Sequence, residues 1–479
     1  MKYWGDKKMN TNSLDLHGRI LIIMSNLGFG QKKAKLASKK HPHTKVHRRV
    51  NRLKFKKKEK VLGRKISRNV CFIGLLTVAV LAGTLIPVGS TPWVTNVKAA
   101  SVTVDSALSK FKDVKGHWAQ ETIAKALKKN LISGYQDGTF RPNGKITRGE
   151  YAAILARATG LEKAQGQAQN VFSDLTGHWS ESAVHQLVAQ GFIDVNDYVN
   201  GFKPNTELTR YEMMKWIASG LVKSESSFGD AFNDTKNTLL PTPEVNRGTI
   251  RPEQIPYLAL VRGTGVVGGF EDGTLKPADP TTRAEVAAIL LRYMEVEGTD
   301  ASKYSDLNEL REVGTTGTNL TTISNYFYTK NSVKVSDISD EDIYLSNNSG
   351  VLNLHRFIVV KVQGGKPEGV YNKLFVEPNV PLGNYYLTFA DMSFTSKTDK
   401  TDLITYSGGL DSGLLKFRRL ELEFSKKNGF TTIPDNPKDL ITKGKKVRFW
   451  TRSTLDFKNG SYHIKTEKLG ELKIQNMYY

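Results

Sequence analysis

An internal repeat between residues 111 and 298 constrains the fold of this chain more than any other feature. Residues 111–118 read FKDVKGHW, and residues 172–179, 61 positions later, read FSDLTGHW. A third segment, Phe232-Asn-Asp234, follows after 60 more positions. A fixed period is typical of repeats whose single copies are too small to close a core. The sequence therefore predicts three copies that pack together, at 111–160, 172–221 and 232–298.

Each copy ends in a Thr-Arg-x-Glu box followed by apolar residues with helical spacing. After the first box, Tyr151, Ile154, Leu155 and Ala158 fall at i, i+3, i+4 and i+7, which predicts one apolar helix face. An Asp-Gly-Thr turn precedes the box in copies one and three. Copy two has a different turn, and copy three has no His-Trp pair and a longer segment before its turn. We therefore expect the groove that uses copy-one residues to be the most competent.

The box residues divide into two groups by their physical chemistry. Thr followed three positions later by Glu, before an apolar helix, indicates a capping box and a structural role. These residues are Thr147, Glu150, Thr209, Glu212, Thr282 and Glu285. An arginine at a helix N-terminus opposes the helix dipole, so capping does not explain it. Its planar fork suits a carboxylate or a phosphate, and two interpretations remain: an anion site, or an ion pair with an Asp of a neighbouring copy. The arginines are Arg148, Arg210 and Arg283.

Two further pairs of residues in the copies each have a structural and a functional interpretation. Trp118 and Trp179 stand at the first turn of a helix, where packing in the core is the more common role and a ligand platform the alternative. The pairs Asp137-Gly138 and Asp272-Gly273 are explained first by the residue preferences of a turn. The functional alternative is that they bring backbone close to a ligand.

The net charge of +22 comes almost entirely from the first hundred residues. They hold 22 basic and 3 acidic residues, which leaves 47 basic and 44 acidic residues in 101–479. The apolar stretch Cys71–Ile86 follows the basic run, and small residues follow in turn up to Ala99 and Ala100, the order of a secretory signal. We expect a leader over 1–100 with cleavage near 99–100, an uncleaved anchor being the alternative. A membrane partner is then expected only during export, and no nucleic acid is expected.

The last 180 residues have a different pattern. Segments such as 357–362, 385–389 and 447–450 are rich in β-branched and aromatic residues. Leu420, Leu422 and Phe424 alternate with charged residues, which indicates a half-buried strand. We predict a linker over 299–325 and an all-β domain, a sandwich or barrel, over 325–479.

No catalytic or cofactor motif is apparent in the mature chain. Cys71 is the only cysteine, so residues 72–479 form no disulfide within the chain and no cysteine-ligated metal site. His355 and His463 have no metal-ligand spacing. The acidic run Asp337, Asp340, Glu341 and Asp342 suits a calcium ion or a solvated loop, and the solvated loop is the simpler interpretation. We predict that the chain has no metal and no cofactor and is not an enzyme. A hydrolase active site in the C-terminal domain is the alternative.

The Phe-x-Asp openings, the Gly-His-Trp segments, the Asp-Gly-Thr turns and the Thr-Arg-x-Glu boxes resemble the S-layer homology family. The resemblance covers about 190 of 479 residues. It implies a pseudo-threefold assembly around a three-helix bundle. It also implies non-covalent binding to secondary cell-wall polysaccharide of Gram-positive bacteria, a polymer attached to peptidoglycan and often pyruvylated. By this likeness the box arginines and the turn residues line grooves between copies.

Two functions follow from the sequence. The first is a secreted protein of the cell wall and surface layer, anchored by the repeats and displaying the β domain for adhesion or surface-layer structure. Other surface-layer proteins or host ligands would then be further partners. The second is a wall-anchored glycan or peptide hydrolase with its active site in 325–479.

Overall fold

The computed structural model describes residues 110–160, 171–378, 380–400 and 402–476. The leader, the cleavage site and the membrane-anchor alternative predicted within 1–100 lie outside these residues. Within the described ranges, every helix is too short or too polar to cross a bilayer.

The helical region precedes a β-sheet region, as predicted. The α-helices in chain order are α1 Gln120–Lys128, α2 Arg148–Ala158, α3 Glu181–Ala189, α4 Arg210–Ser224, α5 Ser226–Asp234, α6 Pro243–Asn246, α7 Ile255–Gly263, α8 Arg283–Val296, α9 Ser305–Thr316, α10 Leu320–Ile323, α11 Asn372–Phe375, α12 Leu403–Gly409 and α13 Leu422–Lys427. The strands are β1 Phe327–Tyr328, β2 Ile343–Tyr344, β3 Gly350–Gln363, β4 Lys366–Glu368, β5 Tyr385–Ser396, β6 Lys446–Asp456, β7 Gly460–Lys465 and β8 Glu471–Asn476.

Three short extended segments, each just before a box helix, are joined in a closed ring of backbone hydrogen bonds. The amide of Ile146 donates to the carbonyl of Thr281 at 3.1 Å, Thr281 donates to Leu208 at 3.0 Å, and Leu208 donates back to Ile146 at 2.8 Å. Because each copy gives one bond and receives one, the starts of α2, α4 and α8 are fixed against one another. Tyr151 of α2 stacks on Trp216 of α4 with ring centroids 5.4 Å apart, so the box helices also share core contacts.

A carboxylate anchors the turn ahead of each ring segment. Asp113 accepts the amides of Phe140 and Arg141 at 2.9 and 2.6 Å, and Asp174 does the same for the second copy. The three residues held in this way have positive φ, which non-glycine residues rarely adopt. They are Arg141 at 57°, Lys203 at 56° and Lys276 at 49°. The carboxylate therefore compensates a backbone strain that recurs at the same place in each copy.

In copy three this anchor is Glu244, which accepts the amides of Leu275 and Lys276. The alignment of Phe232-Asn-Asp234 with the earlier openings is therefore wrong. Asp234 lies at the end of α5 and forms an ion pair with Arg311 at 2.9 Å instead. Helix α5 thus lies between copy two and the functional opening of copy three, which is in α6.

The segment 299–325, predicted as a linker, is mostly helical and packed, so that prediction is wrong. Helix α9 occupies residues 305–316, and its Leu307, Leu310 and Val313 are buried in the same core as the repeats. The Thr-, Asn- and Gly-rich composition of this segment hides three apolar residues at helical spacing.

The C-terminal region contains two antiparallel sheets. One has the strand order β2-β3-β5-β6, with β4 paired to β3, and the other has the order β1-β8-β7. The predicted strands at 357–362, 385–389 and 447–450 lie within β3, β5 and β6. The strand predicted around Leu422 is wrong because Leu422–Lys427 is helical, with the Glu421 carboxylate accepting the amides of Glu423 and Phe424. With α11, α12 and α13 present, the region is not purely β.

The β-sheet region packs directly on the third copy. Ile358, Phe375 and Trp450 belong to the same hydrophobic core as the repeat helices. Tyr371, fully buried, donates its hydroxyl hydrogen to the carbonyl of Leu239 at 2.8 Å. The two regions therefore share a core, in contrast to the linker predicted between them.

Candidate functional site: a groove between the repeats

The Thr and Glu of each box cap the helix that they begin. The hydroxyl of Thr147 accepts the amide of Glu150 at 3.2 Å, and the Glu150 carboxylate accepts the amide of Thr147 at 2.8 Å. The same reciprocal bonds occur in the pairs Thr209–Glu212 and Thr282–Glu285. These residues satisfy amides that a helix start leaves without partners.

The box arginine of each copy reaches into the next copy. Its guanidinium donates to the carbonyl that precedes the strained residue of the anchored turn. The bonds are Arg148 to Phe202 at 3.0 Å, Arg210 to Leu275 at 2.9 Å and Arg283 to Phe140 at 2.9 Å. These contacts donate from copy one to two, from two to three and from three to one, which is opposite to the direction of donation in the backbone ring.

Two of the arginines also form ion pairs across copies. Arg148 lies 2.7 Å from Glu212, and Arg210 lies 2.7 Å from Glu285. The alternative drawn from the sequence was an ion pair with an Asp of a neighbouring copy. The partner is in a neighbouring copy, but it is the capping glutamate of that copy. A guanidinium has five N–H donors, and the bonds of Arg210 to Leu275 and Glu285 use two of them.

One groove of about 560 Å³ is lined by residues of all three copies. Copy one contributes Trp118, copy two contributes Arg210, and copy three contributes Phe270 and Arg292. The Arg210 guanidinium carbon lies 4.7 Å from the centroid of the Phe270 ring. The groove thus combines an aromatic ring with a fixed cation.

Basic and acidic side chains both line this groove. The bases are Lys145, Arg210, Lys276 and Arg292, and the acids are Glu271, Asp279 and Glu285. Arg210 is only 4% exposed, and its burial lowers the pKa of the guanidinium below its ordinary value. An arginine remains charged after such a shift. Its interaction with an anion is stronger there than in water because the surroundings are less polarisable.

The tryptophans of the Gly-His-Trp segments are on the surface, so the packing interpretation is wrong. Trp118 is 67% exposed and Trp179 is 64% exposed. His117 holds the local backbone, because its Nδ1 accepts the amide of Ala119 at 3.1 Å and its Nε2 lies 3.1 Å from Asn143 Oδ1. A large exposed indole on a fixed turn is available to a ligand.

The Asp-Gly turns do not line this groove. Asp137 accepts the amide and hydroxyl of Thr139, which with Arg141 lowers its pKa to about 2. Asp272 binds Thr274 in the same way. Gly138 and Gly273 have φ of 76° and 82°, so the glycines serve the turn conformation. Their place among ligand-binding residues stays a prediction.

The other two box arginines have different surroundings. Arg283 lies over Tyr135 at 4.8 Å, an aromatic environment like that of Arg210. Arg148 lies over Tyr198 at 5.1 Å. In the second copy, Lys215 and Asp197 form an ion pair at 2.6 Å, and this pair belongs to the turn that departs from the other copies.

Several groove residues were not found from the sequence. Lys145 of copy one and Lys276 and Arg292 of copy three lie outside the motifs identified from the sequence, and the groove brings them together. A signal for Arg292 exists: it stands seven residues after Glu285 and lies on the same face of α8.

A second polar cluster lies in the C-terminal region. His355 Nδ1 contacts Asp340, and His355 Nε2 lies 2.7 Å from Ser393 Oγ. Ser393 is 4% exposed and lies within β5, between β3 and β6. A cavity of about 390 Å³ is lined by His355 and Asp340. The order acid, imidazole, hydroxyl is that of a nucleophile with its base, although the serine is covered.

The acidic run at 337–342 is engaged within its loop. Asp337 accepts the amide of Lys334 at 2.8 Å, and Asp342 accepts the side-chain amide of Asn353 at 2.8 Å. In the described ranges, no three His, Cys, Asp or Glu side chains come together as a metal site would require.

Comparison with known proteins gives the repeats a family. The S-layer homology domain family matches residues 110–152, 171–214 and 251–287. The chain is 36% identical over 118 residues to a cellulosome-anchoring protein of Acetivibrio thermocellus, which is 23% of this chain and 26% of that protein. It is 35% identical over 124 residues to an S-layer protein of Bacillus licheniformis, 25% of this chain and 14% of that protein.

An uncharacterized cell wall amidase of Bacillus anthracis is 29% identical over 153 residues, 32% of this chain and 28% of that protein. The chain thus spans less than a third of the length of each of these three relatives.

Proposed function

We propose that this secreted cell-surface protein, which carries three S-layer homology domains, is held non-covalently on the cell wall by secondary cell-wall polysaccharide bound between its repeats. The observation that carries the proposal is the groove of about 560 Å³ with exposed Trp118 on one side and buried Arg210 at its wall. An indole face suits the C–H face of a sugar, and a guanidinium suits a carboxylate. The bound unit is then an acidic sugar, such as one with ketal-linked pyruvate.

The proposed assembly is pseudo-threefold, with the box helices as its central bundle and one groove for each pair of neighbouring copies. The cyclic backbone bonds among Ile146, Leu208 and Thr281 support it. The grooves differ in competence. All three box arginines lie beside an aromatic ring of the next copy. We propose that Arg210 and Arg283 bind ligand, and that Arg148 contributes less because an ion pair of Lys215 and Asp197 occupies its copy-two turn.

The experiment compares two matched variants, Arg210→Gln and Arg148→Gln, in sedimentation with purified cell wall. Each removes a guanidinium that donates to a neighbour's carbonyl and to a neighbour's capping glutamate, so the two variants lose the same kinds of contact. We expect Arg210→Gln to lose wall binding about tenfold or more, and Arg148→Gln to keep most of it. Equal losses in two folded variants would contradict a ligand role for Arg210.

The C-terminal region is proposed to take part in adhesion or in contacts of a surface layer. Its docking on the third copy supports a fixed presentation, because Tyr371 and Leu239 join the two regions by a buried hydrogen bond.

A wall-anchored hydrolase is the second candidate. The contacts that link Asp340, His355 and Ser393 favour this hydrolase. Their arrangement suits acyl transfer from a peptide or ester more than glycan cleavage. The 4% exposure of Ser393 speaks against substrate access. A zymogram of the whole chain in purified wall, with Ser393→Ala beside it, separates the candidates, since lysis lost in Ser393→Ala would establish the hydrolase.

A further inference from the structure

A second groove, of about 480 Å³, lies between the turn of the third copy and the C-terminal region. Its lining is mixed in chemistry: carboxylates, ammonium groups and an aromatic ring face the same space. The lining includes Glu271, Asp272, Lys373, Glu377, Phe424 and Lys427.

The second groove adjoins the first. Glu271 lines both of them, and the next residue, Asp272, belongs to the second. Both residues are exposed. The two grooves therefore meet at Glu271.

The two walls of this second groove are fixed relative to each other. The side-chain amide of Asn246 donates to the carbonyl of Asn428 at 3.0 Å, and Arg247 donates to the carbonyl of Lys427. The buried bond from Tyr371 to Leu239 lies in the same junction. Because the groove is preformed, a ligand does not have to order it on binding.

The chemistry of the lining fits a saccharide. Glu271, Asp272 and Glu377 are acceptors for sugar hydroxyls, Lys373 and Lys427 are donors, and Phe424 offers an apolar face. Lysine ammonium groups also attract a polymer that carries carboxylates along its length. Both lysines are exposed, so their charges are not consumed in a buried pair.

We infer that the C-terminal region supplies a second subsite for the same wall polysaccharide. The sugar held between Trp118 and Arg210 is one unit of the polymer, and the neighbouring units lie in the second groove beyond Glu271. This inference rests on the proposed function, and it gives the C-terminal region a part in anchoring rather than in display alone.

The test uses the full chain and two probes, purified wall polysaccharide and a monosaccharide carrying ketal-linked pyruvate. The variant is Lys373→Glu with Lys427→Glu. The matched control is Lys438→Glu with Lys468→Glu, which makes the same change of charge at exposed lysines outside the lining of both grooves. We expect the groove variant to lose polymer affinity about tenfold, to keep its monosaccharide affinity within about twofold, and the control to change neither.

Unchanged polymer affinity in the groove variant, or an equal loss in the control, would overturn the inference. A loss of monosaccharide affinity equal to that for the polymer would overturn it as well, since a separate subsite does not touch the single sugar. If the proposed function itself is wrong, the unsubstituted protein binds neither probe. This result is distinct from the outcomes that overturn the second subsite alone.

Discussion

Arg210 of the second copy and Glu285 of the third are joined by an ion pair of 2.7 Å, and the same glutamate caps helix α8. One carboxylate oxygen of Glu285 accepts from Arg210, while the other accepts the amide and the hydroxyl of Thr282, each at 2.9 Å. The start of the helix and the cation of the groove are therefore held by one side chain. Folding of the repeat and formation of the ligand site are coupled through it.

Loss of this ion pair is expected to lower stability. Glu285→Gln keeps a capping side chain and removes the charge that offsets the buried Arg210, so we expect the free energy of unfolding to fall by about 2–4 kcal/mol. Glu212→Gln is the control, because its partner Arg148 has a side chain exposed by 17% against 5% for Arg210. Urea unfolding followed by tryptophan fluorescence measures both. A larger loss for Glu212→Gln would contradict this ranking.

The capping threonine of copy one is expected to serve the fold and not the ligand. Thr147→Ala removes the acceptor for the Glu150 amide and should cost about 1 kcal/mol. Thr147→Ser keeps the hydroxyl and should cost less than half as much. Thermal unfolding gives the two values, and wall binding measured well below the unfolding temperature should be the same for both variants.

The exposed indole of Trp118 is expected to serve the ligand and not the fold. Because 67% of its surface is already in water, Trp118→Ala should change the free energy of unfolding by less than about 0.5 kcal/mol while wall affinity falls roughly tenfold. Ile404→Ala, at a site 83% exposed in the C-terminal region, is the matched control for loss of an exposed apolar side chain. A Trp118→Ala protein with full affinity would remove this residue from the site.

Stability is expected to depend on pH through Glu309, which is buried in α9 at the junction of the two regions. Burial raises its pKa from 4.5 to about 7, against the opposing effect of hydrogen bonds from Asn319 and Val370. The folded state therefore binds the proton more tightly than the unfolded state. This contribution to stability is complete below pH 4.5 and is lost as pH rises through 7, with a range of about 3 kcal/mol.

Glu309→Gln tests this origin, because an amide does not titrate. Urea midpoints between pH 4.5 and 8 should fall with pH in the unsubstituted protein more steeply than in Glu309→Gln. Parallel pH profiles for the two proteins would assign the slope to other groups, such as Asp306, whose pKa burial also raises.

The parts of the fold that the sequence predicted are those with local causes. The box helices follow from apolar spacing and a cap within four residues, as at Thr147 and Glu150, and the three main strands follow from β-branched runs. The linker prediction failed because helix α9 is stabilised by tertiary burial of Leu307 and Leu310, which composition does not show. Leu420, Leu422 and Phe424 satisfy an alternating pattern and a short helix equally well, and the cap at Glu421 selects the helix.

The groove was predictable in one of its cations, Arg210, and not in its assembly. Arg210 was identified because a charge that opposes the helix dipole needs a reason. The contribution of Trp118 from one copy and Arg292 from another depends on the cyclic packing of copies, which no local pattern contains. In the third copy the carboxylate that anchors the turn is Glu244, where the other copies use Asp. The sequence did not show this because Phe232 and Asp234 match the earlier openings by chance. The hydrogen bonds to Leu275 and Lys276 identify Glu244 as the anchor.

The central claim is that the repeats hold the protein on the wall through an acidic wall polysaccharide. The most direct measurement is sedimentation of the whole protein with three wall preparations: intact, freed of its polysaccharide, and with pyruvate removed from that polysaccharide. We expect strong binding to the intact wall, none after extraction, and a loss of about tenfold or more after removal of pyruvate alone. Full binding to the extracted wall would contradict it.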